Sequence, residues 1–258
     1  MTEVGFGGLA ASLVLVAVAV GVSLWQHLGV ERAVAWATMR AIAQLLGIGL
    51  ILGFILDPDT SLAWSWGWVA VMVVFAAVTM RRRAPEVPAL FCLALTAMAA
   101  AAVVTLGVIF GLGIFPLEAR ALVPLAGMMV GNSMNATVVA ARRVVGELAD
   151  HRLEVEARLA LGMDSRLAAR PYVRSALRTA LTPQVETTKA VGLVFLPGAM
   201  TGLILAGVDP LEAVIIQAAI MFLILGSVAI TASVMATGVS ARLFTPDHRP
   251  VRLLREVS

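Results

Sequence analysis

The chain has 258 residues, 60% of them hydrophobic and only 14% charged, with a mean hydropathy of +0.95. Those values fall outside the range of soluble globular domains and describe an all-α polytopic membrane protein. A span needs roughly 20 mostly apolar residues, so seven spans and one cytoplasmic excursion use nearly all of residues 1–258 as a single transmembrane domain.

The start has no Lys or Arg before the first apolar run and no small-residue cleavage pattern after it, so residues 5–24 are expected to be an uncleaved first span. Further apolar runs place spans at 34–56, 64–80, 88–111, 121–141, 185–206 and 213–238. Arg32 and Arg40 lie at the junction of spans 1 and 2, Arg81, Arg82 and Arg83 between spans 3 and 4, and Arg242, Arg249, Arg252 and Arg255 in the tail. All basic residues but Arg120 therefore fall on one side. The positive-inside rule makes that side cytoplasmic, with the N-terminus outside and the C-terminus inside. The opposite connections hold Asp57, Asp59, Glu118, Asp209 and Glu212.

On the second span Arg40 and Gln44 are one turn apart on the face that carries Gly47. Arg40 either snorkels to the cytoplasmic interface or faces the bundle, whereas Gln44 is deeper and faces protein. The pairs Gly49/Gly53, Gly107/Gly111, Gly127/Gly131 and Gly198/Gly202 have the spacing that lets helix backbones approach closely in lipid, and they argue for a compact bundle. Cys92 is the single cysteine, which excludes a disulfide framework and a CxxC site.

The fifth span is the most polar. Met128, Asn132, Asn135 and Val139 share one helical face, flanked by Ser133 and Met134. An unpaired amide is costly in hydrocarbon, so the two asparagines either bond neighbouring helices or line a transport path.

Residues 142–183 carry eight of the nineteen basic residues. Glu147, Asp150, Glu154 and Glu156 alternate there with Arg143, Arg152 and Arg158, as on a solvated helix. Gly162 is expected to end a first arm, 143–161, as a C-cap, and Asp164 with Ser165 to cap a second, 164–181, with Pro171 starting a new helix after a short one. The result is a cytoplasmic helical hairpin whose short tip can seat in a groove of a partner. Beyond it Glu186 and Lys189, the only lysine, stand close enough to pair, and Pro197 with Gly198 interrupts the sixth span, marking either a moving or substrate-lining helix or a purely structural kink.

No phosphate-binding loop is present, since Lys189 lacks the GxxxxGK[ST] context, so ATP is not expected to bind this chain. His27, His151 and His248 are far apart and give no support to a metal site or catalytic triad. No cofactor is expected on the chain, and it does not read as an enzyme. The basic charge is distributed among membrane-flanking loops, which points to anionic lipid rather than nucleic acid.

Four stretches carry a resemblance: MRAIAQLLGIG from Met39, PLAGMMVGNSMNA from Pro124, EARLALGMDSRLAARPYVRSALRTALTP from Glu156 and TKAVGLVFLPGAMTGLILAGVDPLEA from Thr188. Over nearly its full length the chain resembles the permease subunits of a small ABC transporter family that includes a bacterial iron exporter and plant relatives linked to aluminium tolerance. The resemblance implies export, of iron or a small solute, across the bacterial inner membrane. It also implies a separate ATPase chain that carries ATP and Mg, and a coupling helix in the excursion. Glu156 through Gly162 also looks like the cytoplasmic loop motif of ABC importers, with a longer distance on to Leu181 and Pro183. On that reading Glu156, Gly162, Asp164, Ser165, Arg166 and Arg170 contact the ATPase, and Met128, Asn132, Asn135, Glu186, Lys189 and Pro197 belong to the substrate path. A bundle this small is expected to share its pathway with a second copy, two permeases working with two ATPases. The rivals are a secondary-active transporter or channel, which should show a mid-membrane charged relay or inverted repeats, and a membrane scaffold without transport.

Overall fold

The structure, a computed structural model, describes residues 6–57, 59–193 and 195–249. The expected first residue of span 1 and the tail residues Arg252 and Arg255 lie outside them. The described residues are all-α, in two units that divide between Thr60 and Ser61.

The first unit is a helical hairpin of α1 (Phe6–Trp25) and α2 (Glu31–Ile55). His27 (φ 53°) and Gly29 (φ 69°) turn the chain between them, and the buried Ser23 hydroxyl donates to Glu31 Oε1 at 2.7 Å. Arg40 and Gln44 are both exposed.

The second unit contains α3 (Leu62–Arg83), α4 (Leu90–Gly111), α5 (Ala119–Asp150), α6 (Arg152–Ala160), α7 (Ser165–Ala190), α8 (Gly198–Leu205) and α9 (Pro210–Arg242). Local signals set several ends. Ser61 Oγ accepts the Ala63 N–H to start α3, and Arg81–Arg83 complement the helix dipole in its last turn. Asp209 Oδ1 accepts the Leu211 and Glu212 N–H groups ahead of Pro210 at the start of α9. The core runs through α3, α4, α5, α7 and α9, with Met80, Met98, Leu122, Met129 and Met235 fully enclosed.

Among the described residues α2, α3, α4, α5 and α9 are long and apolar enough to cross a membrane, and α1 contributes a shorter apolar stretch, Ala11–Trp25. Large apolar side chains cover the outside, including Leu50 (81% exposed) and Val103 (75%), while Ser133, Thr137, Ser227 and Thr231 are inside. Water would reverse that distribution, and a bilayer favours it.

Three boundaries differ from expectation. The fifth span does not end near residue 141 with a separate arm beginning at 143. With 32 residues α5 is about 48 Å long, more than the roughly 30 Å of a hydrocarbon core, because a helix ends where its backbone is capped rather than where its apolar run stops. Pro171 does not start a helix, since α7 is continuous from Ser165 to Ala190 through Pro171 and Pro183. Pro171 is exposed, so the Leu167 carbonyl that loses its donor falls on the open side of the helix. Finally, the expected span 185–206 is not one helix. It comprises the last turns of α7, an irregular segment and the eight-residue α8.

The glycine pairs are not where this unit's backbones approach. A side chain added at Gly107, Gly111, Gly131, Gly198 or Gly202 would meet nothing within 4 Å, and at Gly127 only Met72 Sδ at 3.9 Å. The close approach uses Ala140, Ala180 and Ala232 of α5, α7 and α9, together with Gly238, where an added Cβ would lie 2.5 Å from Leu93 Cδ2. The expectation of a compact bundle holds for this unit, through alanine rather than through the paired glycines.

Candidate functional site

Gly162 ends α6 as the sequence predicts. Its φ of +86° lets its own N–H reach the Leu159 carbonyl at 2.9 Å and the Met163 N–H reach the Arg158 carbonyl at 3.2 Å, satisfying two of the last carbonyls of the helix. Two residues on, Asp164 Oδ1 accepts the Leu167 N–H at 2.7 Å and starts α7. Glu156, Gly162, Asp164, Ser165, Arg166 and Arg170 are thereby brought to one tip. Glu156 is paired there with Arg152 at 2.7 Å.

The tip is braced from two sides that sequence reasoning missed. His248 Nδ1 accepts the Ser165 N–H at 3.3 Å and lies 3.0 Å from Ser165 Oγ, so the segment after α9 adds a second cap to α7. Glu156, Gly162, Asp164 and His248 line a cavity of about 630 Å³ between them. Below the tip Tyr172, 6% exposed, donates its hydroxyl to Glu154 Oε2 at 2.7 Å and stacks on the His151 ring with centroids 4.8 Å apart. The Arg158 guanidinium sits 5.4 Å from the Tyr172 ring centroid, and Ser175 Oγ donates to Glu147 Oε1 at 3.0 Å. Burial first, then the Glu154 hydrogen bond, holds the Tyr172 phenol above the ordinary tyrosine range.

The two asparagines of α5 are both exposed and serve different contacts. Asn132 Nδ2 donates to its own helix, at the Met128 carbonyl, 2.8 Å away. Asn135 Oδ1 accepts from Arg83 at 2.7 Å. Arg142 in turn donates to the Arg83 carbonyl and pairs with Glu86 at 2.9 Å, and Arg242 donates to the Ala89 carbonyl at 3.4 Å. The end of α3, the start of α4, the middle of α5 and the end of α9 therefore converge in one basic layer, and Asn135 belongs to that layer. Met128 is half-buried against the core. The side-chain hydrogen bond between α5 and α9 is made instead by Ser133 and Ser227, whose hydroxyls are 3.1 Å apart, while Thr105 of α4 reaches Met129 Sδ at 3.2 Å. The signal for that seam was available: Ser133 and Thr137, and Ser227 and Thr231, are each four residues apart on their helices.

Glu186 and Lys189 pair at 2.9 Å, as their spacing predicts, with both side chains largely exposed. The chain leaves the helix at Val191. Gly192 (φ +88°) donates its N–H to the Phe195 carbonyl at 3.0 Å, and Pro197 is the extended residue before α8. Pro197 thus lies at the break, as expected, although residues 191–193 and 195–196 are also outside the helices, so the break is not the Pro–Gly pair alone. Among the described residues no three His, Cys, Asp or Glu side chains converge as metal ligands would.

Long apolar helices with an apolar exterior, a hydroxyl-lined interior and one basic end define an integral membrane protein. The chain belongs to the family described as Uncharacterised protein family (UPF0014), whose profile matches residues 6–244. It is 38% identical over 227 residues to UPF0014 membrane protein STAR2 of Oryza sativa subsp. japonica, covering 88% of this chain and 79% of the relative. Protein ALUMINUM SENSITIVE 3 of Arabidopsis thaliana is 35% identical over 226 residues, 86% of this chain and 81% of its own. The Probable iron export permease protein FetB of Escherichia coli (strain K12) is 32% identical over 247 residues, 94% of this chain and 93% of its own. No solved structure matches the chain.

Proposed function

We propose that this chain is the transmembrane permease subunit of an ABC transporter of a bacterial inner membrane, exporting iron or a similar small solute with ATP hydrolysed on a separate subunit. The observation that carries the reading is the built tip: α6 and α7 are capped at both sides of Gly162, and α7 continues from the tip into the bundle without a joint. A solvated connection needs neither. Kinship with the Probable iron export permease protein FetB supports iron as the cargo.

On this reading the basic layer is cytoplasmic, the N-terminus is outside, and two permeases share one pathway and engage two ATPases that hold ATP and Mg. Glu156, Gly162, Asp164, Ser165, Arg166 and Arg170 contact the ATPase. Movement of the tip passes along α7 to Glu186, Lys189 and the break at Pro197. Met128, Asn132 and Asn135 offer a thioether and amide oxygens, weak ligands suited to passing an ion rather than storing it. The Asn135 oxygen is occupied by the Arg83 guanidinium, so a cation would have to displace that arginine before using it.

The test is iron uptake into inside-out vesicles by the complex with its ATPase. Asn132→Ala/Asn135→Ala should lower uptake at least tenfold while leaving expression and detergent stability near wild type. Unchanged uptake in that variant would remove α5 from the pathway, and no iron response in wild type would remove iron.

A further inference from the structure

One face of α7 carries an arginine at every fourth position: Arg166, Arg170, Arg174 and Arg178. Residues four apart stand one above another, about 6 Å apart along the axis, so the guanidinium groups form a row. All four residues are exposed. Among the described residues the ion pairs are at Arg142–Glu86, His151–Glu147, Arg152–Glu156 and Lys189–Glu186, none of them in this row. Like charges at this spacing repel, and no ion pair among the described residues balances them.

Arg166, Arg170 and Arg174 also line a cavity of about 800 Å³ between α4, α7 and α9. Most of its remaining lining is apolar or small: Leu93, Val173, Val234, Thr237, Gly238 and Ala241 are among it. The cavity lies at the basic end of the bundle, where Arg242 reaches Ala89 one turn before Leu93. If α4 and α9 cross a membrane, as their length and composition allow, this end of the bundle lies at its surface.

Two chemistries meet in this cavity. Guanidinium groups are strong donors to phosphate oxygens. Leu93 and Val234 belong to helices long and apolar enough to cross a membrane. Free phosphate has no use for the apolar wall, and an acidic protein surface could take up the arginine row without a cavity between membrane helices. We propose that this cavity binds an anionic phospholipid, its headgroup phosphate held by Arg166, Arg170 and Arg174 and the root of its acyl chains lying against Leu93, Val173 and Val234. Basic pockets between membrane helices on the cytoplasmic side recognise anionic headgroups in this way. The site rests on α4 and α9 being membrane helices and is independent of whether the protein transports iron. Arg166 and Arg170 also belong to the proposed ATPase contact, so a bound lipid would tie the helix that carries the tip to the membrane surface and compete there with the partner subunit for those two side chains.

The experiment is native mass spectrometry of the full chain in detergent, titrated with phosphatidylglycerol or phosphatidylcholine of the same acyl chains, with inorganic phosphate as competitor. Wild type should retain phosphatidylglycerol at about tenfold lower lipid concentration than phosphatidylcholine, and millimolar phosphate should not displace it. R166Q/R170Q/R174Q should abolish that preference. Thr237→Trp fills the cavity and leaves each arginine in place, so it should weaken phosphatidylglycerol binding to a similar extent. It decides the matter alone if the triple variant fails to fold. Equal retention of the two lipids by wild type, wild-type retention by Thr237→Trp, or displacement by inorganic phosphate would each overturn the site.

Discussion

Where α5, α7 and α9 meet, the contacts are Ala140, Ala180 and Ala232 with the Ser133–Ser227 hydroxyl pair; where α6 and the end of α5 fold against α7, they are Tyr172, His151, Arg158, Glu154 and Glu147. The first set is small side chains, with Leu177 and Leu181 packed at its edge, and the second is nearly all large ones. In lipid no hydrophobic drive brings helices together, so stability comes from backbones approaching closely, which bulky side chains prevent. In water a hairpin this short has little apolar area to bury. It is fixed by one buried aromatic ring with charged and polar groups arranged around it.

The widest test of this contrast is Ala140→Leu. Ala140 is fully buried, so the added bulk should cost about 1–3 kcal/mol and appear as early loss of monodisperse protein on heating in detergent. A wild-type heating curve would mean that the three helices are not in close contact. Gly162→Val places a β-branched residue at φ +86° and should cost about 1–2 kcal/mol. Its effect should be confined to the hairpin, with detergent stability of the bundle kept; if the proposed function holds, ATP hydrolysis by the partner subunit should uncouple from uptake. Coupled uptake at the wild-type level would make the tip an ordinary turn.

Tyr172→Phe removes only the hydroxyl bond to Glu154 and should cost about 1 kcal/mol, read as faster proteolysis between residues 150 and 172. Tyr172 is the only tyrosine, so tyrosinate absorbance of the isolated chain reports it alone. Because its folded pKa is raised, the ring should stay protonated past the ordinary value of about 10. The stability this gives the hairpin is fully present below that value and is lost as pH rises through the raised pKa. Titration at or below the ordinary value would contradict the enclosed ring. Ser133→Ala should have the smallest effect, about 0.6 kcal/mol, since a single interhelical hydrogen bond in a membrane is worth little. A loss as large as that of Ala140→Leu would shift the weight of the seam from shape to hydrogen bonding.

Much of the tip was legible in the sequence because its signals are local. A glycine at the end of an apolar-polar period and an aspartate three residues before a helical N–H each specify one backbone geometry. The membrane class was legible from composition for the same kind of reason. What could not be read were partners fixed by tertiary packing: His248 on Ser165, 83 residues away, and Arg83 on Asn135, 52 residues away. The glycine pairs misled because spacing shows that two backbones can approach and not that they do. Hydropathy misplaced the ends of α5 and α7 because it follows the solvent around a helix, whereas a helix continues until its backbone bonds run out.

The unbroken course of α7 makes the protein sensitive to a change that hydropathy would treat as neutral. One residue inserted between Pro183 and Glu186 would leave every apolar run intact yet rotate the two ends of the helix by about 100° relative to each other. The arginine row and the Ala180 contact would keep their register with the bundle while Glu186 and Lys189 turned away. The same insertion between Phe195 and Pro197, where the chain has no helical register, would be absorbed by the irregular segment. Natural length variation is therefore expected in the break and excluded from the rod that leads to it.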